Sequence, residues 1–427
     1  MKCRKDPWFQ GVALLLIAIT VLLASGAVAQ SKYKTLHRFK GGKDGSFVLA
    51  GLIFDQKGNL YGATTGGGAG GNGTVFKLQP KADGSWTESI LYNFTGGTDG
   101  GAPYASLIFD QKGNLYGTTA YGGAQGSGAV FKLAPNADGS WTENVIYSFL
   151  GGKDGGNPSA SLIFDQKGNL YGTTQDGGNG APGNGTTFKL TPNADGSWTE
   201  RVLYVFSGGA DGGNPTASLI VDPVGNLYGT TIYGGNNGDS CAVTECGVVF
   251  ELMPKADGTW TESVLYSFTG GTDGGNPETD LIFDQAGNLY GTTKWGGKCA
   301  FSDGCGVVFE LKRQTDGSWV ESVLHRFSRR DGFVPAAGLI FDAAGNLYGT
   351  TVAGGDLSLC GGSGCGVVFK LVPNSNGKWT ETELHGFLDR PGDSPFAGLI
   401  FDGSGNLYGT TFGDGSTTFG SVFEITP

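Results

Sequence analysis

At 427 residues, with 80 glycines and 28 basic against 39 acidic residues, the chain is long enough for two or three ordinary domains. Its glycine and proline show no three-residue period, which excludes a collagen-like rod. A formal charge of −11 argues against nucleic acid and anionic membranes as general partners.

The chain opens on a targeting segment. Lys2, Arg4 and Lys5 precede an apolar run from Val12 to Ala24, and Ala27, Val28 and Ala29 fit a signal-peptidase site. The run is shorter than the roughly 20 residues a membrane span needs. The expectation is therefore a cleaved signal peptide over residues 1–29, an exported mature chain from Gln30 and no membrane span in it. Cleavage removes three basic residues and Asp6, taking the formal charge from −11 to −13.

From about Leu36 onward one repeat occupies the chain. Its most constant stretch, Asp-x-x-Gly-Asn-Leu-Tyr-Gly-Thr-Thr, begins at Asp55, Asp110, Asp165, Asp222, Asp284, Asp342 and Asp402, spaced 55 to 62 residues apart. Only the first copy departs from it, with Ala63 in place of the first Thr. The repeats start near residues 51, 106, 161, 218, 280, 338 and 398, and 30–427 reads as one domain.

The second repeat shows the unit. Ser106–Asp110 is a short apolar run suited to a buried strand, and Gln111–Asn114 is a turn. Leu115–Thr119 forms a second strand, rich in residues that favour β structure. A glycine-rich loop from Gly122 to Gly128 leads to a third strand, Ala129–Leu133. The turn Pro135–Gly139 precedes a longer, half-exposed fourth strand, Trp141–Phe149, and Gly151–Pro158 returns to the next repeat. Four short antiparallel strands repeated seven times predict an all-β, seven-bladed β-propeller with four-stranded blades. The seventh repeat ends at Pro427 after its third strand, while Tyr33–Phe39 matches Val323–Phe327. The N-terminal strand is thus expected to complete the last blade and close the ring, giving a monomer. The Asp turn and the Pro-Asn-Ala-Asp-Gly turn then share one face. The two glycine-rich loops share the other.

That loop-rich face also carries the cysteines. Apart from Cys3 they form three near pairs, Cys241/Cys246, Cys299/Cys305 and Cys360/Cys365, each in the same loop of a different repeat. With two Cys and no His per loop, local disulfides in an oxidising compartment fit better than metal thiolates. Each is expected to stabilise by roughly 2 kcal/mol.

The repeated Gly-Asn-Leu-Tyr-Gly-Thr-Thr, followed by Gly-Gly and a Val-Phe-Lys/Glu-Leu strand, resembles the GloVer-type tandem repeat of bacterial "choice-of-anchor" exported proteins. The first hairpin is more weakly similar to NHL-type and sensor-type propellers. The GloVer resemblance implies an exported, surface-associated bacterial protein with no assigned activity and no catalytic residues to carry over. Here no sorting tail follows Pro427, so a free secreted form is the expectation.

Residues present in every repeat read as architectural. The turn Asp residues are expected to bond backbone amides, the tyrosines from Tyr61 to Tyr408 to pack between blades, and Trp86, Trp141, Trp198, Trp260, Trp319 and Trp379 to cover the outer strands. The return loops carry Asp44, Asp99, Asp154, Asp211, Asp273, Asp331 and Asp393. Asp99, Asp154, Asp211 and Asp273 are the candidates for Ca²⁺, but one carboxylate per loop is sparse for a calcium site. Turn stabilisation is the favoured role, and no cofactor is expected. His37, His325 and His385 stand where other repeats have Tyr92, Tyr147, Tyr204 and Tyr266, as substituted packing aromatics. No His-based triad or His-rich metal site is in view, and no unrepeated acidic pair stands out.

Departures from the repeat carry the functional expectation. Tyr121, Tyr233 and Trp295, at one position on the loop-rich face, suit a platform for sugar rings or a protein contact as well as packing on neighbouring loops. Arg329 and Arg330 replace the usual Gly-Gly, with Arg326 and Arg390 nearby, as an anion-reading patch or a solvated, salt-bridged cluster. The favoured function is a secreted module binding a glycan or protein ligand. Its alternatives are an extracellular polysaccharide hydrolase or lyase, and a structural envelope protein.

Overall fold

The computed structural model describes residues 31–179, 183–235, 246–299, 304–388, 394–413 and 418–427. The targeting segment, Cys241, Arg390 and Asp393 lie outside them. No helix among the described residues is long and apolar enough to cross a membrane.

Seven four-stranded antiparallel sheets are arranged as propeller blades. Blade 2 runs Ile108–Phe109, Leu115–Thr119, Ala129–Pro135 and Trp141–Ser148, from the central channel to the rim. The innermost strand is shorter than the sequence predicts, two residues instead of five. The carbonyls just before it are taken by the neighbouring blade: Thr118 Oγ1 donates to Ala160 O at 3.1 Å, and Thr350 Oγ1 to Ala397 O at 3.2 Å. Ala63 is the one repeat position without that hydroxyl.

The second strand is buried throughout, and its Gly117 lies under the Phe131 ring. A Cβ there would meet Phe131 Cζ at 2.6 Å, so only glycine lets the aromatic layer seat this low. Between blades the core is one recurring cluster. Tyr61 of blade 1, for instance, packs with Leu107, Leu115, Phe131 and Trp141 of blade 2.

Each conserved turn is held by its Asp. The Asp110 carboxylate accepts the backbone N–H groups of Lys112 and Asn114, the Asn114 amide and the Tyr116 hydroxyl, at 2.6 to 3.2 Å. The opening of the second strand is thereby tied to the turn before it, and the polar end of an otherwise buried tyrosine is satisfied.

Ring closure follows the sequence expectation. Lys32–Arg38 pairs antiparallel with Ser421–Thr426, as the outer strand of blade 7. It even reproduces the irregularity that outer strands carry: the register slips between Thr35 and His37, as it does beside Val130 and Phe131 in blade 2. At this seam Tyr33 stacks on His385, ring centroids 4.1 Å apart, and the Ser31 hydroxyl bonds the Leu384 carbonyl. Cys299–Cys305 and Cys360–Cys365 are disulfide-bonded. Cys246 is buried, and its expected pairing with Cys241 falls outside the described residues.

Candidate functional site

The segment entering each innermost strand lines a central cavity of ≈ 180 Å³. Two layers of seven side-chain positions face it. One holds Gly51, Ser106, Ser161, Ser218, Asp280, Gly338 and Gly398; the other holds Leu49, Tyr104, Ser159, Thr216, Glu278, Ala336 and Phe396. The first layer is small in every blade except the fifth, where Asp280 intrudes. Its Oδ1 accepts the Ser218 N–H at 2.6 Å, and Ser218 Oγ accepts the Ser161 N–H at 3.1 Å. Protein encloses the Asp280 carboxyl but leaves it a face on the channel. Burial pushes its pKa up, against the Ser218 hydrogen bonds.

The second layer is chemically uneven. Glu278 is bridged to Lys294, 3.1 Å from each oxygen, and Lys294 Nζ sits 5.8 Å over the Trp295 ring. Trp295 contacts Phe333 at 6.1 Å. Ser159 Oγ and Thr216 Oγ1 are buried without a hydrogen-bond partner. Across the ring, Tyr104 and Phe396 supply apolar surface, and Phe412 links Phe396 to Phe47. Polar groups of blades 3 to 5 therefore face Phe396, Leu49 and Tyr104 of blades 7, 1 and 2.

Tyr121, Tyr233 and Trp295 occupy equivalent rim positions, each fixed by paired backbone bonds to the return loop, as between Tyr121 and Gly101. Their surroundings differ. Tyr121, 54% exposed, faces Tyr104 and lines a hollow of ≈ 300 Å³ with Asp176 and Asn157. Trp295 is half-buried against Phe333, and Tyr233 is exposed. The arginines also diverge. Arg329 donates to the Gly362 carbonyl, Arg326 to the Thr272 carbonyl, and Arg330 is exposed.

Glu278 and Asp280 escaped the sequence reading because their partners in the ring are not acids. The signal was present: aligned on the repeat, they are the only carboxylates at their two positions.

The return-loop Asp residues serve their turns. Asp99 accepts the Thr95 N–H at 2.8 Å, the Thr95 hydroxyl and the Tyr92 hydroxyl at 3.1 Å. Asp211 and Asp273 repeat the pattern. Asp154 does so in part, since Leu150 brings no hydroxyl and leaves Oδ1 without a partner.

Each of these carboxylates also faces a glutamate from the next blade. Burial first, and the nearby Asp99, Asp154, Asp211 or Asp273 second, push Glu143, Glu200, Glu262 and Glu321 up to about 7. An acid whose pKa rises on folding holds its proton in the native state after the unfolded chain has released it. Its stabilising contribution is complete below the ordinary glutamate pKa and is lost as pH rises through 7. The turn Asp residues run oppositely. For Asp110, burial is outweighed by hydrogen bonds from Asn114, Lys112 and Tyr116, so its pKa is lowered and its contribution fades in acid. Thermal melts at constant ionic strength are expected to peak near pH 5 and fall toward pH 8. A Tm that is flat or rising over that interval would contradict the arrangement.

The Gloeobacter/Verrucomicrobia repeat family model matches the chain twice, over residues 24–243 and 239–427. No curated protein matches it in sequence. Among solved structures it is similar to a putative oxidoreductase (glucose dehydrogenase) of Thermus thermophilus, at 15% identity and a TM-score of 0.43, covering 93% of this chain and 100% of that one. A protein described as glucose dehydrogenase aligns at 14% identity and a TM-score of 0.41, covering 93% and 99%. A puromycin-hydrolysing peptidase of Mycobacterium tuberculosis aligns at 11% identity and a TM-score of 0.46, covering 86% of this chain and 49% of that one.

Proposed function

We propose that this chain, which belongs to the Gloeobacter/Verrucomicrobia repeat family, is an exported binding module that takes the end of a glycan chain at the loop-rich mouth of its channel. The observation that carries this is convergence. Of the side chains that break the sevenfold pattern, Tyr104, Glu278, Asp280 and Phe396 line the cavity, and Lys294 joins Trp295 to Glu278. Sugars are recognised by aromatic faces beside hydroxyl-bonding polar groups, and this opening supplies both. The cavity is smaller than the roughly 300 Å³ at which whole small-molecule pockets begin. It suits one residue of a longer ligand whose remainder lies on the rim near Tyr121 or Tyr233. Export is supported by the disulfides and by the targeting segment of the sequence.

Binding to a glycan array, followed by titration of the best ligand, tests this. Trp295→Ala and Glu278→Gln are each expected to weaken binding by about tenfold or more, with Arg330→Ala unchanged. Absence of binding across a broad panel would remove the proposal. A second reading, a polysaccharide hydrolase, draws on Asp280, a carboxyl facing the channel whose pKa burial pushes up, the direction an acid catalyst needs. Release of reducing ends that disappears in Asp280→Asn would favour it.

A further inference from the structure

We propose a divalent metal site, of the zinc type, at the seam where the ring closes, formed by His37, Asp44 and Glu88. The three side chains come from the closing strand, the loop after it and the outer strand of blade 1, Trp86–Asn93. One ligand atom from each lies within 4.8 Å of the others.

What sets this place apart is the histidine. In the equivalent interface one blade on, Tyr92 fills the space and donates its proton to Asp99, so the group is satisfied. His37 is not. Its Nε2 is buried without a hydrogen-bond partner, 3.6 Å from Asp44 Oδ1, beyond hydrogen-bonding reach. Glu88 turns a second buried, unpartnered atom, Oε1, into the same space. The other Asp44 oxygen is held by the Lys40 backbone N–H at 2.7 Å, which orients the carboxylate as outer-shell bonds do in metal centres. The Lys40 side chain, the cation nearest the cluster, is exposed and free to swing into solvent.

One imidazole and two carboxylates are donors that zinc accepts, and water would complete four-coordination. Bond lengths of about 2.0–2.2 Å bring such ligands to roughly 3.5 Å from one another, so closure on the ion needs side-chain movement on the order of 1 Å. Bound there, the ion pins the closing strand and the loop after it to the outer strand of blade 1. His325 and Asp331, 3.2 Å apart, repeat the first pair with Glu381 beside them, but among the described residues only the His37 set brings three ligand atoms this close.

The test uses Zn²⁺ itself on the full chain, followed by thermal unfolding and titration calorimetry. One ion per chain and a Tm rise of about 2 °C or more are expected. His37→Tyr installs the residue that Tyr92, Tyr147, Tyr204 and Tyr266 supply at four other interfaces, so it is expected to fold normally and to lose both effects. Asp44→Asn is expected to weaken binding at least tenfold, and His325→Tyr to retain it. No response of the parent protein, or a response surviving in His37→Tyr, would overturn the proposal.

Discussion

A chain that begins after Phe39 is expected to lose its cooperative thermal transition and to elute as soluble aggregate rather than as a monomer. Three losses act together. Six pairings between Lys32–Arg38 and Ser421–Thr426 disappear, leaving a buried strand as an open edge, and unpaired edges of this kind recruit other chains. Phe39, 4% exposed, is removed from a core shared with Leu52, Leu60 and Phe76, its ring 5.0 Å from Phe76. The Tyr33 ring is withdrawn from His385, Phe387 and Phe423. Losing one large buried aromatic alone typically costs about 3–5 kcal/mol, against a usual total stability of about 5–15 kcal/mol. Size-exclusion chromatography and a melt decide the matter, and a synthetic peptide spanning 31–39 is expected to restore the monomer in part. A truncated chain that is monomeric, with a Tm within a few degrees of the parent, would show that the pairing is dispensable.

Phe188→Ala is expected to destabilise by about 3–5 kcal/mol in urea unfolding, with an unchanged midpoint slope. Phe188 is fully buried, and its ring lies 5.1 Å from Phe149 of the preceding blade. It stands over Gly172, where a Cβ would approach its Cζ to 2.6 Å. That glycine has no side chain with which to fill the vacated volume, and Leu162 and Leu190 are held by their own blade. The cavity therefore persists instead of collapsing, which places the effect at the upper end for such substitutions. Phe188→Leu should recover about half. A loss under 1 kcal/mol for the alanine variant would mean that blades repack far more freely than this geometry allows.

The architecture was legible because the same demands recur seven times. Asp110 and its equivalents declare a turn, and Tyr33–Phe39 declares itself a displaced outer strand by its likeness to Val323–Phe327. The innermost strands were overestimated, since apolar composition marks a segment as buried without revealing that only Ile163 and Phe164 of it pair with the second strand. The candidate site was legible only in outline. The position of Trp295 at the mouth of a loop was visible, and its contact with Phe333 was not. The sequence of Arg326, Arg329 and Arg330 did not reveal that Arg326 and Arg329 bond different carbonyls, those of Thr272 and Gly362. Glu278 and Asp280 become a pair facing one space only after seven segments converge on an axis. Likewise, the closeness of Asp99 to Glu143 is a property of the gap between blades, to which two distant stretches of chain contribute.

The closing strand also has a consequence in time. During synthesis residues 32–38 appear long before their partners, residues 421–426. Blades 1 to 6 each have all four strands from a contiguous stretch and can assemble as they emerge, whereas blade 7 waits for residues 421–426. Until then the first strand has nothing to pair with and must be kept from annealing to another molecule. Completion of the ring is thus a record that synthesis has passed the seventh blade, and a chain that stops before residues 421–426 cannot shut.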